Sequence, residues 1–458
     1  MPRRLLALLA APVPPAVLPI LLTLALGAHL PAATAAAAGS NTAAPAASTA
    51  QTSAARATAA RAPASSVAVA AAAAASSIAP AAPPIPPLRL GVIGPFSGPS
   101  SDFGVPMLRG VQLAVDEINA VGGFLGRTIE MVVRDDQATP AMGLAQSRSL
   151  ADAKVFATLG FCNTGVAMAS LEVFQQAQIP LIVPCAAGSP VTAKYPPRES
   201  YVFRTSARDS LQAEVVVADL ERRGWTRVAI FADETAYGES GLADVRRSLA
   251  QRQLTPVYVA RFPLGAKDMS EPLKAARAAG ANVIFTYTVG KENAAIALGR
   301  QALRWNVPLV GGWPLSFPFF IEGAGEAGEG ALMAQTFIAE PSNERRAAFL
   351  AAYARKYSAR RIPVPMAAAQ AYDATWILLY ALFGLGDGEV DGPRLKASLE
   401  RLPRTYYGVV ATYERPFSPD DKDAITANML VIGQVKKGAV TFAYPEDARR
   451  NLFIQRKR

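Results

Sequence analysis

Residues 88–94, LRLGVIG, run into Pro95-Phe96-Ser97-Gly98-Pro99, and the reading of this stretch decides the fold of the 458-residue chain. A short apolar run bounded by turn formers predicts a buried strand. Beyond Gly104, Val105, Leu108, Val111, Leu113, Ala114, Val115 and Ile118 recur at helical spacing, and Gly122-Gly123 closes the helix. A second strand is expected over 128–134. Strand, glycine-bearing loop, helix and strand form a βαβ unit, which gives a parallel sheet covered by helices. Ligands of such sheets sit beyond the carboxyl ends of the strands, so the loop 94–104 and its counterparts are the first places to look.

The alternation continues along the chain. Strands are expected over 155–161, 179–183 and 201–204, with helices over 141–153 and 166–177 between them. A second set follows, with helices over 210–223, 238–251, 270–279 and 291–303 and strands over 227–231, 256–261, 283–287 and 309–311. Beyond Ala331 the order changes. A strand over 332–337 precedes helices over 343–358, 367–383 and 394–401, and then strands near 409–413, 428–433 and 439–444. The first half lacks enough helices to cover its sheet unless the chain returns to it. Two α/β lobes therefore exchange chain near Thr205, Gln335 and Gly408, and such multiple crossings make a hinge.

The termini read differently. Arg3-Arg4, an apolar stretch to Leu30 and Ala33-Thr34-Ala35 have the layout of a secretory signal peptide over 1–35. An uncleaved membrane anchor is the competing reading, opposed by Pro12, Pro14, Pro15 and Pro19. Residues 36–87, almost entirely Ala, Ser, Thr, Pro and Gly, are expected to be a disordered linker. Residues 446–458 read as a basic tail.

The net charge is +10, but arginines in the leader, the linker and the tail supply much of it, and the remaining basic residues alternate with acidic ones. This is the pattern of a solvated surface and points away from nucleic acid. The single histidine, His29, lies in the leader, so histidine catalysis and histidine-bound metal are excluded for the folded part. No metal and no cofactor are expected. Gly94, Gly98 and Gly104 after the first strand and Asp135-Asp136 at the end of the second raise the alternative of a dinucleotide site. Phe96 stands where the G-x-G-x-x-G fingerprint needs its second glycine, which counts against a nucleotide-dependent enzyme.

Two other strand ends suit a small polar ligand. Phe161-Cys162-Asn163-Thr164-Gly165 leads straight into a helix, so its N–H groups point at an anion such as a carboxylate. Ala186-Ala187-Gly188-Ser189, after the neighbouring strand, offers similar chemistry, although Asn163 or Ser189 taken singly reads as an ordinary helix cap. Cys162 and Cys185 lie one residue past neighbouring parallel strands, a separation compatible with a disulfide in an oxidising compartment; two buried thiols are the alternative.

Seven segments now carry a resemblance: LGVIGPFSGPSSDFG, MLRGVQLAVDEINAVGG, GRTIEMVVRDD, FATLGFCNTG, IPLIVPCAAGSPVT, YVFRTSARDSLQA and VAIFADETAYGESG. In this order they resemble the motifs of periplasmic branched-chain amino-acid-binding proteins, the leucine-binding receptors of ABC transporters, over residues 88–445. The resemblance implies an α/β fold of two Rossmann-like lobes with parallel central sheets and a three-crossing hinge, the type I periplasmic binding fold. Lobe 1 is then 88–205 plus 336–408, and lobe 2 is 206–335 plus 409–445.

The implied protein is not an enzyme. It is a monomeric periplasmic receptor that clamps a small-molecule solute and presents it to a membrane permease; a sensor ectodomain of the same fold is the alternative. The resemblance puts Asn163, Thr164, Ala186, Ala187, Gly188 and Ser189 around the ligand's carboxylate and polar atoms, and Phe103 over its side chain. It adds Tyr237, Thr288 and Val289 from lobe 2, and Asp209 and Gln212 past the first hinge. Three departures stand out. Asn163 replaces the usual serine, the loop after Pro184 is one residue longer, and Trp313 occupies the position expected to hold an acid for an α-ammonium group. Aromatic walls without that acid suit an aromatic or other organic acid better than an aliphatic amino acid.

Overall fold

The computed structural model describes residues 85–386, 388–450 and 455–456. The expected signal peptide and nearly all of the linker lie outside the described residues. Among those described, no helix is long and apolar enough to cross a membrane.

Lobe 1 opens with β1 (Leu88–Gly94), α1 (Ser101–Ala120), β2 (Ile129–Asp135), α2 (Pro140–Asp152), β3 (Ala157–Leu159), α3 (Thr164–Gln176), β4 (Leu181–Val183), α4 (Pro190–Ala193) and β5 (Val202–Arg204). Its five strands are all parallel, in the order β2-β1-β3-β4-β5. Lobe 2 takes up the chain with α5 (Asp209–Arg222), β6 (Val228–Asp233), α6 (Ala236–Ala250), β7 (Tyr258–Phe262), α7 (Ser270–Ala278), β8 (Val283–Tyr287), α8 (Glu292–Ala302), β9 (Leu309–Gly311), α9 (Pro318–Ala324) and β10 (Leu332–Gln335). The chain returns to lobe 1 for α10 (Glu344–Tyr357), α11 (Pro365–Phe383), α12 (Gly392–Glu400), β11 (Tyr406–Tyr407) and β12 (Thr412–Glu414). It ends with β13 (Val431–Lys436) and β14 (Ala439–Phe442) in lobe 2, and β15 (Gln455–Arg456).

The seven-stranded sheet of lobe 2 runs β14-β13-β10-β9-β8-β6-β7. Its centre is parallel as expected, but β13 and β14 form an antiparallel hairpin along one edge. The turn at Lys437-Gly438, both at positive φ, makes the hairpin possible.

Return of the chain to lobe 1 has a clear physical reason. Phe103, Met107, Val111, Val115 and Ile118 form an apolar stripe on α1 that needs a cover, and α11, apolar nearly all round, supplies it. The two helices approach closely at Gly110, where a Cβ would lie 2.2 Å from the Ala368 carbonyl oxygen. Each large apolar side chain so buried contributes about 1.5–3 kcal/mol.

The third crossing lies further along than the sequence suggested. Residues 409–423 pack on lobe 1, not lobe 2. Asp373 of α11 accepts hydrogen bonds from the backbone N–H groups of Val409 and Val410, both at 2.8 Å, and from the Tyr406 hydroxyl at 2.9 Å. Further on, the chain bonds along the edge of β5: Arg204 N–H donates to Lys422 O and Ala424 N–H to Arg204 O, each at 2.8 Å. The buried Arg204 guanidinium pairs with Asp423 at 2.6 Å. The crossing to β13 therefore falls beyond Ala424, not at Gly408. Part of the basic tail is also anchored, since β15 pairs with β12 and Arg450 donates to the carbonyls of Asn428 and Leu430.

Candidate functional site

Three helices begin at one cavity between the lobes. From lobe 1 come the starts of α2 (Ala138, Pro140) and α3 (Cys162 to Val166), and from lobe 2 the start of α6 (Thr235 to Tyr237). The cavity holds about 320 Å³, a volume suited to a small organic molecule. The first N–H groups of a helix have no partner within it, and the helix dipole adds partial positive charge there. The convergence therefore favours an anion.

Apolar side chains make the rest of the wall. Phe103 of α1 meets Phe317 of lobe 2 across the cleft, ring centroids 5.1 Å apart, and Trp313 stands edge-on to Phe317 at 5.1 Å. Tyr237, Leu264, Val289 and Pro314 complete it. Among the described residues lining the cavity none carries a charge.

Trp313 is held from two sides. Its N–H donates to Gln212 Oε1 at 3.1 Å, and its carbonyl accepts from the Ser316 hydroxyl at 2.7 Å. Gln212 Nε2 in turn donates to Ala207 O at 2.9 Å and to Asp209 Oδ1 at 3.2 Å, while Asp209 N–H donates to Ala187 O at 2.8 Å. This chain of bonds ties the backbone at Trp313 of lobe 2 to the 186–189 loop of lobe 1.

Asp136, Asp209 and Asp233 neighbour lining residues in the chain or by hydrogen bond but do not themselves line the cavity. Burial pushes Asp209 up to about 8, outweighing the neighbouring Tyr287 hydroxyl and the Arg204 charge. Burial likewise pushes Asp136, beside Ala138, up to about 7. Asp233 is taken up locally, accepting from Thr235 N–H at 2.9 Å and Val289 N–H at 3.0 Å.

Of the residues expected at the site, Phe103, Asn163, Thr164, Ala187, Tyr237, Val289 and Trp313 come together on the cavity wall. Asn163 caps α3 without a side-chain cap bond, and its buried Oδ1 has no partner. Ala186, Gly188, Ser189, Asp209 and Thr288 do not line the cavity. Gly188 packs beneath Thr164, whose hydroxyl accepts from Gly188 N–H at 3.2 Å. Thr288 is buried and donates to Glu292 at 3.4 Å. Ser189 is engaged across the lobe boundary, donating to Asp244 of α6 at 2.5 Å.

Phe317, Leu264, Pro314 and the α2 start were missed. Phe317 sits in a short apolar run without periodicity, while Pro140 after Thr139 was a legible helix-start signal.

The expected Cys162–Cys185 disulfide is not formed: both residues are buried free thiols. Cys162 Sγ lies 3.5 Å from Met107 Sδ and 4.0 Å from the Phe103 carbonyl oxygen. Burial, with Cys185 beside it, pushes the Cys162 thiol up and disfavours the thiolate that disulfide chemistry requires.

Comparison with known proteins agrees with this architecture. The chain is 32% identical over 201 residues to a Leu/Ile/Val-binding protein homologue of Brucella melitensis, an alignment spanning 43% of this chain and 53%, about half, of that protein. It is 28% identical over 304 residues to the Leu/Ile/Val-binding protein BraC3 of Rhizobium johnstonii, spanning 66% of this chain and 80% of the relative. Among solved structures, a type 1 periplasmic binding protein of Bordetella pertussis superposes with a TM-score of 0.70 at 26% identity, covering 78% of this chain and 99% of that one. These relatives are binding proteins, not enzymes, and the fold is that of the type I periplasmic binding proteins. Residues 87–439 match the family model described as periplasmic binding protein, and the chain belongs to that family.

Proposed function

We propose that the protein is an exported receptor that closes as a monomer on a small organic carboxylate and delivers it to an ABC-transporter permease. The observation that carries the ligand class is the meeting of three helix N-termini at a cavity whose described lining bears no charge. A carboxylate gains N–H donors and favourable dipoles there, whereas an α-ammonium group gains no ionised partner. Phe103, Tyr237, Trp313 and Phe317 favour a flat or apolar body behind the carboxylate. The relatives named for leucine, isoleucine and valine support solute capture; the solute of this chain differs from theirs by lacking the ammonium group.

Export and permease delivery rest on the leader-like N-terminus and on family membership. Mass spectrometry of the solute released by denaturing freshly purified protein tests the ligand class. A carboxylic acid without an α-amino group is expected, and a stoichiometric aliphatic amino acid contradicts the proposal.

A further inference from the structure

A second cavity, of about 410 Å³, lies between the lobes and shares no lining residue with the first. Lobe 1 contributes the end of α10 and the Ala359–Pro365 segment, with Arg360 and Arg361; lobe 2 contributes Ser316 and the start of β14, with Val440. Phe337 and Ile338, just past β10, form part of its apolar wall. Among the described residues that line it, the two arginines alone are charged.

Gln335 lines this groove and is 3% exposed, yet its Nε2 donor has no partner. A buried amide donor without an acceptor is uncommon, and the residue that carries it lines this groove. Gln335 also lines a cavity of about 10 Å³ at the hinge, which Trp313 and Ala187 share. The two large cavities are therefore separated by the hinge layer. Arg361 already reaches across the groove, its Nη2 donating to Gly438 O at 3.1 Å.

We infer that this rear groove is a second binding site, for an amphipathic organic anion such as a medium-chain carboxylate. The guanidinium groups of Arg360 and Arg361 receive the anionic head. The wall of Phe337, Ile338 and Val440 takes the apolar body, and Gln335 Nε2 supplies a donor in the interior. Because the lining comes from both lobes, an occupant bears on their relative position as well.

Octanoate, octanol and octylammonium serve as probes in calorimetric titrations of the intact protein, freed of its solute by unfolding and refolding. Octanoate is expected to bind at least about tenfold more tightly than either of the others. The double variant Arg360→Glu, Arg361→Glu, which changes only exposed side chains, is expected to weaken octanoate about tenfold or more, and Val440→Trp to weaken it by filling the groove. Asn163→Ala, in the main cavity, is expected to leave unchanged the component of octanoate binding that the arginine reversal removes. Failure of octanoate to bind, insensitivity to the arginine reversal or to Val440→Trp, or loss of the arginine-sensitive component in Asn163→Ala overturns the assignment.

Discussion

Ser189 at the start of α4 donates a hydrogen bond of 2.5 Å to Asp244 of α6, so one hydroxyl of lobe 1 is bonded to a carboxylate of lobe 2. The carboxylate is itself paired with Arg247 at 2.8 Å, and Ser189 Oγ also accepts from Ser210 N–H at 3.2 Å. The residue expected to touch the ligand instead touches the other lobe, next to the cavity. We predict that it acts as a latch, made in the closed cleft and broken in the open one.

Ser189→Ala should therefore weaken solute binding without altering the cavity wall. A lost bond to a partly buried carboxylate is worth about 1–2 kcal/mol, a five- to thirtyfold fall in affinity. Small-angle scattering should show a larger mean radius of gyration at equal solute concentration. An unchanged affinity and radius would remove the latch.

The 186–189 loop depends on the absence of a side chain at Gly188. A Cβ there would lie 2.3 Å from Thr164 Cγ2 and 2.8 Å from its Oγ1, the atom that accepts from Gly188 N–H. Gly188→Ala should cost about 1–3 kcal/mol of stability and reduce solute affinity. Adding Thr164→Ser removes the offending methyl and should recover part of both losses in urea unfolding and calorimetry.

The 409–423 segment should be a structural part of lobe 1. Asp423 binds the fully buried Arg204 at 2.6 Å and accepts from Thr192 at 3.1 Å. Removing the carboxylate leaves a guanidinium buried without its charge partner, so Asp423→Ala should cost about 3–5 kcal/mol in urea unfolding. A loss within ordinary surface values would contradict the packing described for this segment.

Asp209 makes stability depend on pH. Its ordinary value of 3.8 applies to the unfolded chain, whereas burial raises it to about 8 in the fold. Between these values the folded state keeps a proton that the unfolded state has released, so stability falls as pH rises from about 4 towards 8. Asp136, raised to about 7, acts in the same direction. Asp209→Asn should flatten this decline, gaining on the wild type by more than about 1 kcal/mol between pH 5 and pH 8. Parallel stability curves for the two proteins would show that Asp209 is ionised in the fold.

Local pattern carried much of the fold and the 162–165 stretch of the cavity wall, whereas Phe103, Tyr237, Val289 and Trp313 came from the family resemblance. The 283–287 and 309–311 strands were legible to the residue, because buried parallel strands are short apolar runs between turn formers. Asn163 and Thr164 were legible because a strand running directly into a helix exposes the helix start. The lobe of residues 409–423 was not, since it is decided by bonds such as Val409 N–H to Asp373, 36 positions away. Nor could spacing separate a disulfide from two thiols: strand adjacency permits both, and the orientation of Cys162 towards Met107 belongs to tertiary packing. The role of Ser189 was hidden for the same reason, its partner being 55 positions distant on the other lobe.

The central claim is that the cleft selects a carboxylate and offers nothing ionised to an α-ammonium group. Calorimetric titration of solute-free protein with benzoate and related aromatic or organic acids, against leucine, isoleucine and valine, tests it most directly. The account predicts that at least one acid without an amino group binds more tightly than all three amino acids, and that this binding weakens in Asn163→Ala. Submicromolar binding of leucine would contradict it.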